Sequence, residues 1–138
     1  MVQKTFPAED AALNEVLAFA EDALEQAGCP MKAAMSVTVA LEEIFVNVAH
    51  YAYPDGPGSL RLDIDFDEQS VTLCVTDEGI PFNPLAKQDP DITLPAEQRQ
   101  IGGLGIYMVK KSMDEVYYRY EDGRNILTMK KFFRPRSV

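Results

Sequence analysis

The hydrophobic periodicity of the chain changes at Ser59, and this change limits the possible folds more than any other feature of the sequence. Before Ser59, apolar residues recur every three or four positions, which is the spacing of amphipathic helices. This part predicts one helix at about Glu9 to Ala27 and a second at about Met31 to Tyr51. From Ser59 onward, apolar and polar residues alternate through Phe66, which predicts a strand with one buried face. The chain must therefore combine a helical layer with a sheet.

The remaining periodic segments predict a short extended start, two β-hairpins and a third helix. The alternation continues at Val71, Leu73 and Val75, so the first hairpin runs from about residue 59 to 75. The other segments are an extended start at Val2 to Phe6, a helix at about Leu104 to Met113 and a second hairpin formed by Val116 to Tyr120 and Ile126 to Phe133. This order predicts an α+β fold, a two-layer α/β sandwich in which helices cover one face of a mixed, mostly antiparallel sheet.

A long irregular stretch, residues 81–102, separates the two hairpins. It holds four of the nine prolines of the chain and ends at the glycine pair Gly102-Gly103. A loop of this length inside a compact domain is usually a lid or a binding loop and not a simple connector. We therefore expect a ligand lid at about 81–102.

Length and charge exclude several classes of protein. The 138 residues suffice for one domain, 1–138, with a hydrophobic core that needs no disulfides. A net charge of −9 repels nucleic-acid backbones and anionic lipid. No apolar run approaches the roughly 18 residues of a membrane span, and the two cysteines lack CxxC spacing. These observations favour a cytoplasmic protein that binds neither nucleic acid nor a membrane.

The second predicted helix carries three polar residues, Glu43, Asn47 and His50, on one stripe. The amide oxygen of Asn47 is a hard ligand suited to Mg²⁺, which takes few protein ligands and adds water and phosphate. Glu43, one turn away, can accept a proton from an attacking hydroxyl or water. The alternative is a solvated helix face with His50 as a helix-end residue. A zinc site is less favoured, since the chain has a single histidine and no HExxH motif.

Asp77 ends a buried predicted strand and is followed by Glu78, Gly79 and a rigid turn at Pro81. A carboxylate in this position can accept a hydrogen bond from an exocyclic amine such as that of adenine. Gly79 would let the backbone approach a flat ligand. The alternative is an ordinary strand-ending turn.

A glycine cluster, Gly102 to Gly105, lies immediately before the third predicted helix. Free backbone N–H groups and the positive end of the helix dipole favour phosphate at such a helix start. The cluster fits neither a P-loop nor a dinucleotide fingerprint, because no Gly-Lys-Ser/Thr follows and it does not follow the first strand.

In this order, the three elements resemble the N, G1 and G2 boxes of the GHKL ATPases, and the resemblance covers about Phe6 to Lys130. Within that superfamily the chain is most similar to the anti-sigma-factor serine/threonine kinases. The similarity is carried by the segments Glu42–Asn47, Asp77–Pro84, Ile101–Val109 and Met113–Val116.

The resemblance implies a Bergerat fold and a role for each matching residue. It makes Asn47 the Mg²⁺ ligand and Glu43 the general base toward a serine hydroxyl. It makes Asp77 the adenine anchor with Gly79 beside it. The phosphates of ATP would lie against Gly103 and Gly105. The family often places a hydroxyl near the nucleotide, and Thr128 falls at that position. Separately, the positive charge of Arg99 in the predicted lid suits a γ-phosphate.

The resemblance further implies an ATP- and Mg²⁺-dependent serine kinase that phosphorylates an antagonist protein and binds a sigma factor or a similar regulator. It alone suggests a homodimer. Two alternatives use the same elements: a nucleotide-gated binding module without kinase activity, and an ATPase in which Glu43 activates water. Retention of Glu43 favours the kinase over the pure binding module, because a binder needs Asn47 and Asp77 but not the base.

Overall fold

The computed structural model describes residues 1–86 and 103–133. For Ala86 and residues 103–107 it describes the backbone only. The elements follow the predicted order. They are β1 (Val2–Pro7), α1 (Leu13–Gln26), α2 (Met31–Tyr51), β2 (Ser59–Phe66), β3 (Ser70–Asp77), α3 (Gly103–Ser112), β4 (Glu115–Glu121) and β5 (Arg124–Phe132), with short 3₁₀ turns at Asp10–Ala12 and Pro84–Ala86.

Five strands form one sheet in the order β1-β2-β3-β5-β4, and every pairing between them is antiparallel. The central strand β3 pairs with β2 on one side and with β5 on the other. In this register Leu60 and Asn125 lie on either side of Asp77. The predicted α+β sandwich is confirmed, but the sheet formed by the described residues is wholly antiparallel and not mixed, because each strand pairs only with antiparallel neighbours.

The hydrophobic core lies between the helices and one face of the sheet. Because side chains alternate along a strand, the apolar residues at every second position share that face. Leu60, Leu62 and Ile64 of β2 are fully buried, as are Val16 and Ala20 of α1. Helix α2 contributes the buried residues Val37, Ala40, Leu41, Ile44 and Phe45. Burial of each large aliphatic side chain stabilises the fold by about 1.5–3 kcal/mol.

The first helix begins later than its periodicity predicts. Glu9 has an extended backbone, a 3₁₀ turn follows at Asp10–Ala12, and α1 starts at Leu13. The N–H of Ala8 donates to the carbonyl of Gly58 at 2.9 Å, which holds the chain beside the start of β2. The chain must therefore turn away from the sheet before a regular helix can form. The second helix, in contrast, has the predicted bounds.

Helix α2 corrects one expectation about apolar segments. Its 21 residues are long and apolar enough, by length and composition, to cross a membrane, although no such run was expected. In this fold α2 is a core helix, and seven of its residues are buried. A helix that packs on a sheet needs a broad apolar face, so its composition can resemble that of a membrane-spanning helix.

The predicted lid lies mostly outside the described residues. Of 81–102, the structure describes 81–86, where Pro84 is buried and begins a 3₁₀ turn. Residues 87–102, including Arg99, lie outside the described part of the chain.

Candidate functional site

A mostly apolar cavity opens where the second half of α2 faces the end of β3 and the start of β5. Four polar residues face it: Asn47 from α2, Asp77 from β3, Asn125 from β5 and Tyr118 from β4. The apolar part of its wall consists of Ile44, Val48, Ala52, Val75, Phe82, Pro84 and Leu127. Such a cavity suits a flat, mainly apolar ligand that carries few hydrogen-bonding groups.

Asp77 is the acidic group of the cavity, and it is only 5% exposed. Its Oδ1 accepts two hydrogen bonds, from Nδ2 of Asn125 and from the N–H of Gly79, both at 2.9 Å. No group in the described part of the chain donates to Oδ2, and no buried side-chain oxygen there lacks a partner, so Oδ2 is at least partly exposed. Asp77 is one of the residues that line the cavity. Burial raises the pKa of Asp77, and the bonds from Asn125 and Gly79 oppose this rise. Oδ2 can therefore accept a hydrogen bond from a ligand amine.

Asn125 is the functional residue that sequence reasoning missed. It is 5% exposed and lies directly opposite Asp77 in the β3–β5 ladder. Its Nδ2 also donates to the carbonyl of Ile80 at 2.8 Å, and its Oδ1 accepts from the N–H of Phe82 at 3.0 Å and from the hydroxyl of Tyr118. No local motif marks it, because an asparagine after an Asp-Gly turn is ordinary. Only the pairing of two strands far apart in sequence reveals it.

Gly79 allows the end of β3 to approach the end of α2. A Cβ atom at this position would lie 2.2 Å from the carbonyl oxygen of Ala52. The same carbonyl accepts the N–H of Ile80 at 2.8 Å. Closeness to a flat ligand is thus not needed to explain the glycine, because contact between protein backbones already requires it.

We expect Gly79→Ala to lower the free energy of unfolding by about 1–3 kcal/mol, because the added methyl group must displace the Ala52 backbone. Urea denaturation measures this difference. Gly56→Ala is the matched control: a Cβ atom there meets nothing within 4 Å, and we expect a change below about 0.5 kcal/mol. Equal effects of the two substitutions would contradict the close contact.

Asn47 lies in the cavity wall on α2 and is 9% exposed. Its Nδ2 donates to the carbonyl of Glu43 at 2.7 Å, so its Oδ1 is the end that remains for a ligand. An amide oxygen is the kind of ligand that Mg²⁺ prefers. Glu43 lies one turn earlier, half-buried and outside the cavity wall. No cluster of three or more acidic, histidine or cysteine side chains occurs in the described residues, so a metal here would depend on Asn47, water and phosphate.

His50 does not join this site. It is exposed, and its Nε2 lies 2.9 Å from both carboxylate oxygens of Asp10. This side-chain contact links the end of α2 to the 3₁₀ turn before α1. His50 is therefore a helix-end residue that contacts Asp10. Of the polar residues on this stripe of α2, Asn47 lies in the cavity wall and His50 does not.

Thr128 lies on the opposite face of the sheet from Asp77. It is three residues beyond Asn125 on β5, and an odd separation along a strand reverses the side-chain direction. Its register partner on β3 is Cys74, and its Oγ1 is 3.9 Å from the Cys74 sulfur. The structure does not bring Thr128 to the cavity, and Asn125 occupies the place opposite Asp77.

The predicted phosphate-binding glycines are at the start of α3. Gly103 is the first residue of that helix and Gly105 is in its first turn, as the helix-start pattern predicts. Glycine-rich helix starts provide free backbone N–H groups that suit phosphate.

The chain is similar in sequence to known proteins. The sequence profile of the histidine kinase-like ATPase domain matches residues 6–131. The serine-protein kinase RsbW of Bacillus cereus is 28% identical over 104 residues, which cover 72% of this chain and 64% of that protein. A second RsbW, from Bacillus mycoides, matches with the same identity and coverage. The chain thus spans less than two thirds of the length of these relatives.

A solved structure supports the fold. The RsbU and RsbW domains of a Mycobacterium tuberculosis protein superpose with a TM-score of 0.63 at 16% identity, over 98% of this chain and 34% of that one. At this identity the likeness concerns the fold alone. The profile match covers most of the chain, and we conclude that the protein belongs to the histidine kinase-like ATPase domain family, whose domains bind ATP.

Proposed function

We propose that this protein is an ATP- and Mg²⁺-dependent serine kinase of the anti-sigma-factor type, which phosphorylates an antagonist protein and binds a sigma factor or a similar regulator. The observation that carries the proposal is the buried Asp77, which lines a mostly apolar cavity and whose Oδ2 accepts no hydrogen bond from the described residues. The likeness to RsbW serine-protein kinases supports the choice of a kinase. We also propose that the protein acts in the cytoplasm as a homodimer.

The base of the nucleotide would occupy the cavity. A purine ring has two apolar faces, which suit Ile44, Val48 and Leu127, and adenine has an exocyclic amine that can donate to Oδ2 of Asp77. One directed hydrogen bond inside an apolar cavity gives orientation, while contact with the ring faces gives most of the affinity.

The phosphates would extend past Asn47 toward the first turn of α3. Bound Mg²⁺ would neutralise phosphate charge, and Oδ1 of Asn47 is the group that would hold it. In the transfer step, the serine oxygen of the antagonist forms a bond to the γ-phosphorus. The bond from that phosphorus to the bridging oxygen breaks, ADP leaves, and Glu43 takes the hydroxyl proton.

ATP with Mg²⁺ should raise the melting temperature of the protein. A ligand that binds only the folded state at about 100 times its dissociation constant stabilises it by about 2.7 kcal/mol, which corresponds to several degrees. Differential scanning fluorimetry measures the shift, and repeating the titration with EDTA separates the contribution of the metal. The absence of any shift at millimolar ATP would remove the nucleotide-binding proposal.

Once a partner protein has been isolated, an assay with radiolabelled ATP distinguishes the kinase from the ATPase and from the nucleotide-gated binding module. Partners are isolated by a pull-down from native cytosol with and without ATP. Label on a serine of the partner supports the kinase, and label in free phosphate supports an ATPase. Partner retention that needs ATP but leaves no label supports a nucleotide-gated binding module.

A further inference from the structure

The amide of Asn125 has one orientation that its neighbours allow. The N–H of Phe82 can only donate, so it requires the amide oxygen at 3.0 Å, and the carbonyl of Ile80 can only accept, so it requires the amide nitrogen at 2.8 Å. Nδ2 must therefore face Asp77. The amide of Asn125 thus makes four hydrogen bonds within the protein. Its Nδ2 donates to Asp77 and Ile80, and its Oδ1 accepts from Phe82 and Tyr118.

This orientation determines what Asp77 presents to the cavity. Its Oδ1 already accepts from Asn125 and Gly79, so a proton on this carboxyl group belongs on Oδ2. When Asp77 is ionised, Oδ2 is an acceptor, and when it is protonated, Oδ2 becomes a donor. The exocyclic amine of adenine can donate a hydrogen bond only to an ionised Oδ2. The 6-oxygen of a 6-oxo purine is itself an acceptor and cannot form that hydrogen bond.

We propose that Asn125 is a positioning residue for base recognition: by holding Oδ1 of Asp77 it turns Oδ2 into the cavity as an acceptor, and so makes the site select a 6-amino purine over a 6-oxo purine. This inference rests on the proposed function and deepens it. Asn125 also holds the segment from Ile80 to Phe82, which carries the ring of Phe82 in the cavity wall. One side chain thus positions both the recognition group and a wall of the same cavity.

Among the residues that the structure describes, few other titratable groups lie near Asp77, and His50 of α2 lies outside the cavity wall, beside Asp10. Burial raises the pKa of Tyr118 and the pKa of Tyr53, so both hydroxyls stay neutral at and below neutral pH. Helix α2 presents Ile44, Asn47 and Val48 to the cavity, and none of these ionises. The charged groups at this end of the sheet form ion pairs: Arg124 with Glu78 at 3.6 Å and Arg61 with Asp63 at 3.1 Å. A change in base selectivity with pH should therefore report Asp77.

The test compares the dissociation constants of ATP and inosine triphosphate, whose phosphates are identical, by isothermal titration calorimetry between pH 5 and 8. In the unaltered protein we expect ATP to bind more tightly and the preference to fall as Asp77 becomes protonated. Asn125→Leu removes the two N–H groups that donate to Asp77 and Ile80, while the side chain keeps a similar size. Without the bond that lowers the pKa of Asp77, the preference should fall about tenfold at pH 7, and its loss with acidification should begin at higher pH.

Three variants make the result specific to positioning. Asn125→Ala leaves space that water can enter, so it preserves folding if Asn125→Leu does not, and we expect the same loss of preference. Asn125→Thr keeps one donor for Asp77 and should retain more of the preference than either. In an Asp77→Asn background, Asn125→Leu should leave the ratio unchanged, because the group through which Asn125 acts is already altered.

The outcomes separate this inference from the proposed function. If the unaltered protein binds neither nucleotide, the proposed function fails and this inference fails with it. If it binds ATP but every folded Asn125 variant keeps the same ratio and the same pH profile, only this inference is overturned. A loss that is equal for both nucleotides, or equal in both Asp77 backgrounds, also overturns it, since a structural role alone predicts that result.

Discussion

Asp77→Asn is expected to weaken ATP binding about 100-fold while leaving the empty protein at least as stable as the original at neutral pH. Asparagine at this position can still accept, through its oxygen, the bonds from Asn125 and Gly79. Its nitrogen then replaces Oδ2 and presents N–H groups to the amine of adenine, so a hydrogen bond to a charged acceptor becomes a contact between donors. The loss of such a bond accounts for a change of this size.

The difference in stability between this variant and the original protein depends on pH, in a direction that the burial of Asp77 determines. Burial raises the folded-state pKa of Asp77 above its ordinary value of 3.8. As the pH rises from that value through the folded-state pKa, the unfolded chain loses its proton first, so the free energy of unfolding falls and then stays reduced. Asp77→Asn has no such titration. Its stability relative to the original should therefore increase across this window and remain constant above it.

Thermal denaturation with and without ATP, at several pH values, measures both effects. Asp63→Asn is a suitable control, because Asp63 is an acidic residue on the neighbouring strand β2 that lies outside the cavity wall. It should leave the stabilisation by ATP unchanged. If Asp77→Asn instead destabilised the empty protein as much as it weakened binding, Asp77 would be a structural residue at an ordinary strand end.

Glu43→Gln is expected to reduce phosphate transfer to a partner serine by about 100-fold or more, the usual contribution of a positioned general base. Glutamine keeps the shape and hydrogen-bonding capacity of the side chain but cannot take the proton. ATP affinity should survive, because Glu43 lies outside the wall of the cavity that would hold the base. Single-turnover transfer of labelled phosphate measures the rate, and calorimetry measures the affinity.

Two further variants complete this comparison. Glu42→Gln changes the neighbouring, exposed glutamate on α2 and should leave both the transfer rate and the ATP affinity unaltered. Asn47→Ala removes the proposed metal ligand and should weaken Mg²⁺-dependent nucleotide binding itself. Normal transfer by Glu43→Gln would show that the base is another group. A protein that transfers nothing, yet holds its partner only with ATP, would instead be a nucleotide-gated binding module.

The sequence alone determined the elements of the fold and their order. The bounds of α2 coincide with its apolar stripe, and the alternation from Leu60 to Phe66 coincides with β2. Hydrophobic periodicity is a local property, since it records which face of each helix or strand must leave water. It therefore also placed Asp77 at the end of a strand and Asn47 on the helix that covers it. Both residues line the cavity.

Only the tertiary structure decided which side chains meet. Asn125 and Asp77 are 48 residues apart and become neighbours through the register of β3 against β5. The same register turns Thr128 to the opposite face, because a separation of three residues along a strand reverses the side chain. His50 pairs with Asp10 because the chain folds back before α1, and Gly79 is needed because β3 ends against Ala52. A strand pattern specifies which side of a strand is apolar, but the residue opposite it depends on pairing between distant strands, which is determined when the whole core packs.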